Sequence, residues 1–283
     1  MTKLTPLLAT AILLLAAGAA VRAQDTSDED CGMCHDDVAA AFAQTPHGLD
    51  RDDVPGCSTC HGDGTEHMDE GGDPELIAYP RGAEAARICA ACHNDLHSAF
   101  EGGAVHGRAG VACDSCHRIH NDEPLTDALL IDDRQALCAS CHPRQVRTFS
   151  RPYGHRLGRA GLDCVSCHNP HGGPGERSVK VDRAGDTACV SCHADLRGPY
   201  VFPHVTGVTG GCDACHEPHG SSNPHALRRS RVDQLCLECH SPITTTLGSQ
   251  PPSTHDLRSP RYRNCTICHV AVHGSNTSPT LRK

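Results

Sequence analysis

The sequence predicts a protein of short α-helices and long irregular links with almost no β-structure, organised around something other than its own side chains. Three observations lead there. Cys-x-x-Cys-His occurs ten times and uses all 20 cysteines of the 283-residue chain. The copies alternate between two contexts with a period of about 50 residues, and a period of that size sets the architecture. Aromatic residues are 3% of the chain and Trp is absent, so side chains alone would build a poor core.

Cys-x-x-Cys-His is the attachment sequence of c-type haem: two thiols add to the vinyl groups and the adjacent histidine becomes the proximal iron ligand. With 22 His in the chain, ten such placements arise by chance with a probability of roughly 10⁻¹¹. Structural zinc clusters do not require a histidine directly after each second cysteine, and disulfide frameworks have no use for one. The expected fold is therefore a multihaem cytochrome c, mostly irregular with short α-helices, whose core is ten stacked haem c groups in an extended file. Without haem the chain is not expected to fold, as with small domains that need a metal or a staple.

Residues 1–23 read as a secretory signal peptide: Lys3, an apolar run from Leu4 to Ala20, then Val21-Arg22-Ala23 before Gln24. No later stretch is apolar enough to span a bilayer, so no transmembrane segment is expected after leader removal. Asp25–Asp30 reads as a mobile lead-in. Five repeats follow, each with a plain motif, an upstream histidine, a second motif and a downstream histidine. The first has Cys31/Cys34/His35, His47, Cys57/Cys60/His61 and His67. The second has Cys89/Cys92/His93, His106, Cys113/Cys116/His117 and His120. The third has Cys138/Cys141/His142, His155, Cys164/Cys167/His168 and His171. The fourth has Cys189/Cys192/His193, His204, Cys212/Cys215/His216 and His219. The fifth has Cys236/Cys239/His240, His255, Cys265/Cys268/His269 and His273.

Plain motifs follow helix-compatible runs, such as Glu84–Ile88, Arg134–Leu137 and Arg231–Leu235. Second motifs follow turn residues: Pro55-Gly56, Gly110, Gly161 and Gly210-Gly211. Glycine follows His47, His106, His171, His219 and His273, which would let the backbone pass close to a flat ring. Glu70–Arg81, rich in Gly, Pro and acid, reads as an exposed loop.

Ten histidines stand outside the motifs at repeated positions, one for each expected iron: His47, His67, His106, His120, His155, His171, His204, His219, His255 and His273. They are the distal-ligand candidates. His97 and His225 break the repeat and read as surface residues. Three residues reach only about 10 Å when extended, too little to wrap a porphyrin edge, so His120, His171 and His219 are expected to ligate a neighbouring haem. The upstream histidines are left to either their own haem or the preceding one. Two axial histidines close an iron, and neither Met33 nor Met68 is placed to supply the ligand that raises potential in mobile cytochromes c. Low-spin iron, mostly negative potentials and no catalytic residues are expected.

At Cys57-Ser-Thr-Cys-His-Gly-Asp-Gly-Thr-Glu-His67 the chain resembles the MtrA/DmsE/PioA decahaem cytochromes. The resemblance continues through Arg197-Gly-Pro, His204 and Cys212-Asp-Ala-Cys-His-Glu-Pro-His-Gly-Ser-Ser-Asn223. It ends at Asn264-Cys-Thr-Ile-Cys-His269 and Val272-His-Gly-Ser-Asn276, and covers nearly the whole mature chain. It implies an exported protein of the periplasm, associated with the outer membrane, inserted in an outer-membrane β-barrel sheath. Electrons would pass to or from an outer-surface or periplasmic redox partner. It also implies two pentahaem halves, 24–150 and 151–283. The chain is shorter than typical members, and Thr277 stands where the family continues His-Pro. A trimmed conduit and a relative that stays in the periplasm both fit that shortness.

The net charge is −9, and −11 once Lys3 and Arg22 leave with the leader. Nucleic acid is an improbable partner for so acidic a chain. The 22 Arg against 3 Lys suit bidentate capture of haem propionates, though composition bias explains such a ratio equally well. Three functions remain: a conduit inside a barrel, a soluble periplasmic carrier or extracellular haem polymer, and a multihaem reductase. The last needs an iron with one open face, and the count of histidines leaves none.

Overall fold

The computed structural model describes residues 27–49, 55–96, 100, 104–120, 127–182, 185–204, 211–240, 255–257 and 259–282. The leader 1–23, His97 and Gly210 lie outside them. The chain is mostly irregular. Among the described residues its helices are short, the longest being Ala83–Cys92 with 10 residues, and one sheet pairs Phe202–Pro203 with Gly274–Ser275, antiparallel. Among the described residues no helix is long and apolar enough to cross a membrane.

Plain motifs close helices. Alanine-rich Ala83–Cys92 carries Cys89 and Cys92 on its last turn. Arg134–Cys141 is started by the Asp133 carboxylate, which accepts from the amides of Gln135 and Ala136 and so satisfies two orphan donors of the first turn. Three of these helices stop at the motif histidine: His93, His142 and His193 leave the helical region with ψ of 42–53°. Most second motifs form tighter 3₁₀ turns, Cys113–Ser115, Cys164–Ser166, Gly211–Ala214 and Cys265–Ile267. Asp163 caps one of them. Burial pushes its carboxyl up, but hydrogen bonds from Ser166 and Arg134 outweigh that and hold it below the usual range.

The lead-in expectation needs correction. Ser27 caps a helix over Asp28–Gly32 in a capping box with Asp30, and the Asp28 carboxylate accepts from the Cys57 amide at 2.7 Å. Three acidic residues in the first turn favour the helix N-terminus, and the contact with Cys57 ties the segment to the second motif. Residues 70–81 are largely exposed, as expected, with a 3₁₀ turn at Pro74–Leu76.

Successive repeats hook together where one repeat approaches its upstream histidine and the next leaves its downstream histidine. Tyr153 and Ser221 exchange main-chain hydrogen bonds of 3.1 and 2.6 Å, Arg151 donates to the Gly220 carbonyl, and the Val201 amide donates to Asn276 Oδ1 at 3.0 Å. These contacts explain the His-Gly-Ser segments, whose Ser221 and Ser275 are buried. They also account for two of the glycines. At Gly220 (φ 124°) a Cβ would lie 2.3 Å from the Thr148 carbonyl oxygen, and at Gly172 one would lie 2.9 Å from Ala104 Cβ. At both positions the close approach is to the neighbouring repeat. Gly220→Ala is expected to destabilise the haem-loaded protein by on the order of 3 kcal/mol, from strain and overlap together. Thermal unfolding reads it, and an unchanged midpoint would show that this approach does not dock the repeats.

Little of the interior is protein. The buried apolar side chains among the described residues are Ala85, Ala104 and Leu129.

Candidate functional site

Numbering the motifs 1 to 10 along the chain, each site is a neighbour of the next in space. Within a repeat the first cysteines face each other: Cys31 and Cys57, Cys89 and Cys113, Cys138 and Cys164, Cys189 and Cys212, Cys236 and Cys265. Between repeats the second cysteines do so: Cys60 and Cys92, Cys116 and Cys141, Cys167 and Cys192, Cys215 and Cys239. All nine junctions follow sequence order. All 20 cysteines are free thiols, standing for the thioether sulfurs of the haem-loaded chain. Burial, with help from the facing thiol, raises most of the resolved ones: Cys57 and Cys236 to about 12, Cys89 and Cys164 to about 11. In the Cys189/Cys212 pair a hydrogen bond between the thiols lowers Cys189 and raises Cys212.

Two cysteines take part in none of these junctions. Cys34, the second cysteine of site 1, and Cys268, the second cysteine of site 10, are both exposed. Second cysteines meet across the boundary between repeats. Both Cys34 and Cys268 keep the motif spacing to Cys31 and Cys265. Cys92, Cys141, Cys192, Cys212 and Cys239 are exposed as well, each beside the facing thiol already named.

Every motif histidine faces one of the ten repeated histidines. His35 faces His67 at 6.3 Å between ring centroids, His61 faces His120 at 6.1 Å and His93 faces His47 at 5.9 Å. His117 faces His171 at 5.8 Å, His142 faces His106 at 5.9 Å and His168 faces His219 at 6.0 Å. His193 faces His155 at 6.2 Å and His216 faces His273 at 6.3 Å. His240 faces His204 at 6.1 Å and His269 faces His255 at 6.4 Å.

The pairing has a rule. From the second repeat on, each downstream histidine reaches back to the second motif of the preceding repeat, so His120, His171 and His219 stand opposite His61, His117 and His168. His67 closes the first site instead. The expectation for the upstream histidines was wrong. His47, His106, His155 and His204 reach forward to the plain motif of the following repeat, and only His255 serves its own. The physical reason is the hooking of repeats, which carries each upstream segment onto the next repeat. His225 is exposed and faces no motif histidine among the described residues.

The rings are aimed by main-chain carbonyls. Nδ1 of His61, His117, His168, His216 and His269 donates to the carbonyls of Ala78, Ala128, Arg177, His225 and Thr280, at 2.6–3.1 Å. Three of those carbonyls come from left-handed residues: Ala128 (φ 57°), Arg177 (φ 53°) and His225 (φ 57°). Nδ1 of His106, His155 and His204 donates to the residues just before the next repeat's downstream histidine, Pro170, Pro218 and Val272. His67 donates to Asp73, so the exposed loop braces two rings. Such bonds fix the tautomer and turn Nε2 toward the partner ring. The sequence had no residue-type signal for these acceptors, because a carbonyl belongs to any residue. Repeated offsets are the trace: nine residues after His168 and His216, and eleven after His117 and His269.

The pairs fit haem iron. Two imidazole nitrogens about 2 Å from one metal place their ring centroids about 6 Å apart, which is the spacing throughout. Among the described residues no three His, Cys, Asp or Glu converge into a free-standing metal site. Two protein donors per centre suit a macrocycle that brings four of its own. Burial first, then the partner imidazole, holds His47, His171, His219 and His273 below the ordinary histidine range, neutral as metal binding requires.

A model of the doubled CXXCH motif matches residues 106–147, 155–198 and 204–245. Multiheme cytochrome MtrA of Shewanella baltica (strain OS185) is 33% identical over 269 residues, covering 88% of this chain and 78% of that protein. Cytochrome c-type protein NrfH of Wolinella succinogenes (strain ATCC 29543 / DSM 1740) is 27% identical over 128 residues, covering 41% of this chain and 70% of that one. Repeated attachment motifs, each with a second imidazole opposite, on a fold of short helices and links define a multihaem c-type cytochrome, a haem-binding electron-transfer protein. Within that class the chain belongs to the MtrA-type family.

Proposed function

We propose that the chain carries ten bis-histidine haems in single file and is the periplasmic part of an electron conduit seated in an outer-membrane β-barrel. The single observation that carries this reading is the order of the sites: all nine thiol-to-thiol junctions join consecutive motifs, so an electron entering at site 1 has a neighbour at every step to site 10. Haem iron, once bound, supplies a one-electron ferric/ferrous couple at each site. The chain's own residues do the rest. The cysteines hold each site in place along the file. The motif histidines and His47, His67, His106, His120, His155, His171, His204, His219, His255 and His273 occupy both axial positions, leaving no face for a substrate. In nine of the ten pairs a main-chain carbonyl keeps an imidazole proton on Nδ1, so no proton needs to move with the electron there.

Two halves, 24–150 and 151–283, would then be bridged by the His117–His171 pair. A polar chain of this kind needs a barrel to satisfy the membrane around it. Export to the periplasm, outer-membrane association and a redox partner at each end of the file complete the reading. Purification at native expression levels tests it: co-elution with a large outer-membrane barrel supports the conduit. A population wholly free of any barrel would instead leave a soluble carrier.

A further inference from the structure

Site 3, made by Cys89, Cys92, His93 and His47, differs from the rest in two independent ways. Among the described residues, nine of the ten imidazole pairs contain a ring whose Nδ1 is bonded to a main-chain carbonyl. At site 3 neither ring has such a bond, and His47 Nδ1 is buried without any partner. Its orientation is nevertheless well defined. Buried Thr45 accepts from the amides of His47 and Gly48 and donates to the Phe42 carbonyl at 2.7 Å. The second difference is angular. The rings of His47 and His93 are crossed at 76°, whereas the other nine pairs lie between 11° and 56°. Site 7, nearest in angle, has its His155 bond to Pro218.

Both features act on the metal in the same direction. An imidazole that donates through Nδ1 is a more basic ligand and stabilises the more positively charged ferric state. Without the bond that stabilisation is lost, and burial of the site disfavours the extra charge further. Crossed planes make each imidazole donate to a different iron d-orbital, so no one orbital is raised strongly and the ferric state is less favoured. Near-degenerate orbitals also give ferric iron a highly anisotropic low-spin signal.

We infer that site 3 is the most oxidising site of the file and takes the first electron that enters it. This rests on the reading of the histidine pairs as axial ligands of ten haems. In the step one electron converts ferric to ferrous iron at site 3, with dithionite as the reductant in the test, and the Nδ1 hydrogens stay in place. An electron would then rest three sites from one end of the conduit, and the remaining sites would fill afterwards.

Electron paramagnetic resonance during a reductive potentiometric titration of the full haem-loaded protein tests this. The expected result is a highly anisotropic low-spin signal, equal to one iron in ten, that disappears first. In His47→Ala that signal and the first reductive step are lost from their wild-type positions. In His106→Ala a less anisotropic signal is lost and both are retained. If the anisotropic signal in the wild-type protein disappears midway or last, or survives His47→Ala, the assignment of site 3 is overturned. If both substitutions leave every low-spin signal intact, the axial pairing itself fails, and the two failures are thereby told apart.

Discussion

His219→Ala is expected to turn one iron in ten high-spin and to slow transfer between the ends of the file, whereas His225→Ala changes neither. The His219 ring lies 6.0 Å from His168, half-buried, with Phe149 against it at 5.2 Å, so its removal leaves site 6 with one axial imidazole. Site 6 joins site 5 through Cys164 and site 7 through Cys167, and a single file has no detour. For a one-electron couple a shift of about 59 mV changes an equilibrium tenfold, and the loss of an axial ligand shifts potentials by at least that order. End-to-end transfer should therefore fall by roughly tenfold or more. His225 serves site 8 through its main-chain carbonyl, which accepts from His216 Nδ1 at 2.8 Å and survives the loss of an exposed ring. Optical spectra of the oxidised proteins and electron transfer across liposomes carrying the chain in a barrel measure the two effects. Equal effects from both substitutions would overturn the pairing.

The chain made without haem attachment is expected to show no cooperative unfolding and to be proteolysed at least about a hundredfold faster than the loaded protein, the change that follows when some 3 kcal/mol of opening cost is lost. Two alanines and one leucine are the buried apolar side chains among the described residues, and the longest helix has 10 residues, below the length at which isolated helices persist in water. The third repeat leans on the fourth through the two main-chain hydrogen bonds between Tyr153 and Ser221. These contacts need something flat and apolar behind them to exclude water. Circular dichroism and timed proteolysis of the unattached chain, made in a host without haem-attachment machinery, measure this. A sharp transition with native helix content would show that the polypeptide has a core of its own.

Much of this was legible before any coordinates. The motif count, the two contexts, the short helices over Ala83–Cys92 and Arg134–Cys141, and the register of the ten spare histidines all follow from residue types at short range. The failures share a cause. Ser27 and Asp28 read as a loose lead-in because the Cys57 amide that uses Asp28 is 29 residues away. His47, His106, His155 and His204 were offered two partners and take a third.

Haem attachment is local chemistry, two thiols and an imidazole within five residues, so it is written in the order of the amino acids and its class of protein can be read there. The facing histidines of all but one pair stand more than 30 residues apart in sequence, such as His106 and His142. Those partners become neighbours only once the repeats hook together. The carbonyls that orient the rings are main-chain atoms, identical at every position in a sequence, and the unpartnered His47 Nδ1 is defined by what its surroundings lack. Distances, ring planes and hydrogen-bond acceptors are properties of packing, and packing alone settled which imidazole faces which.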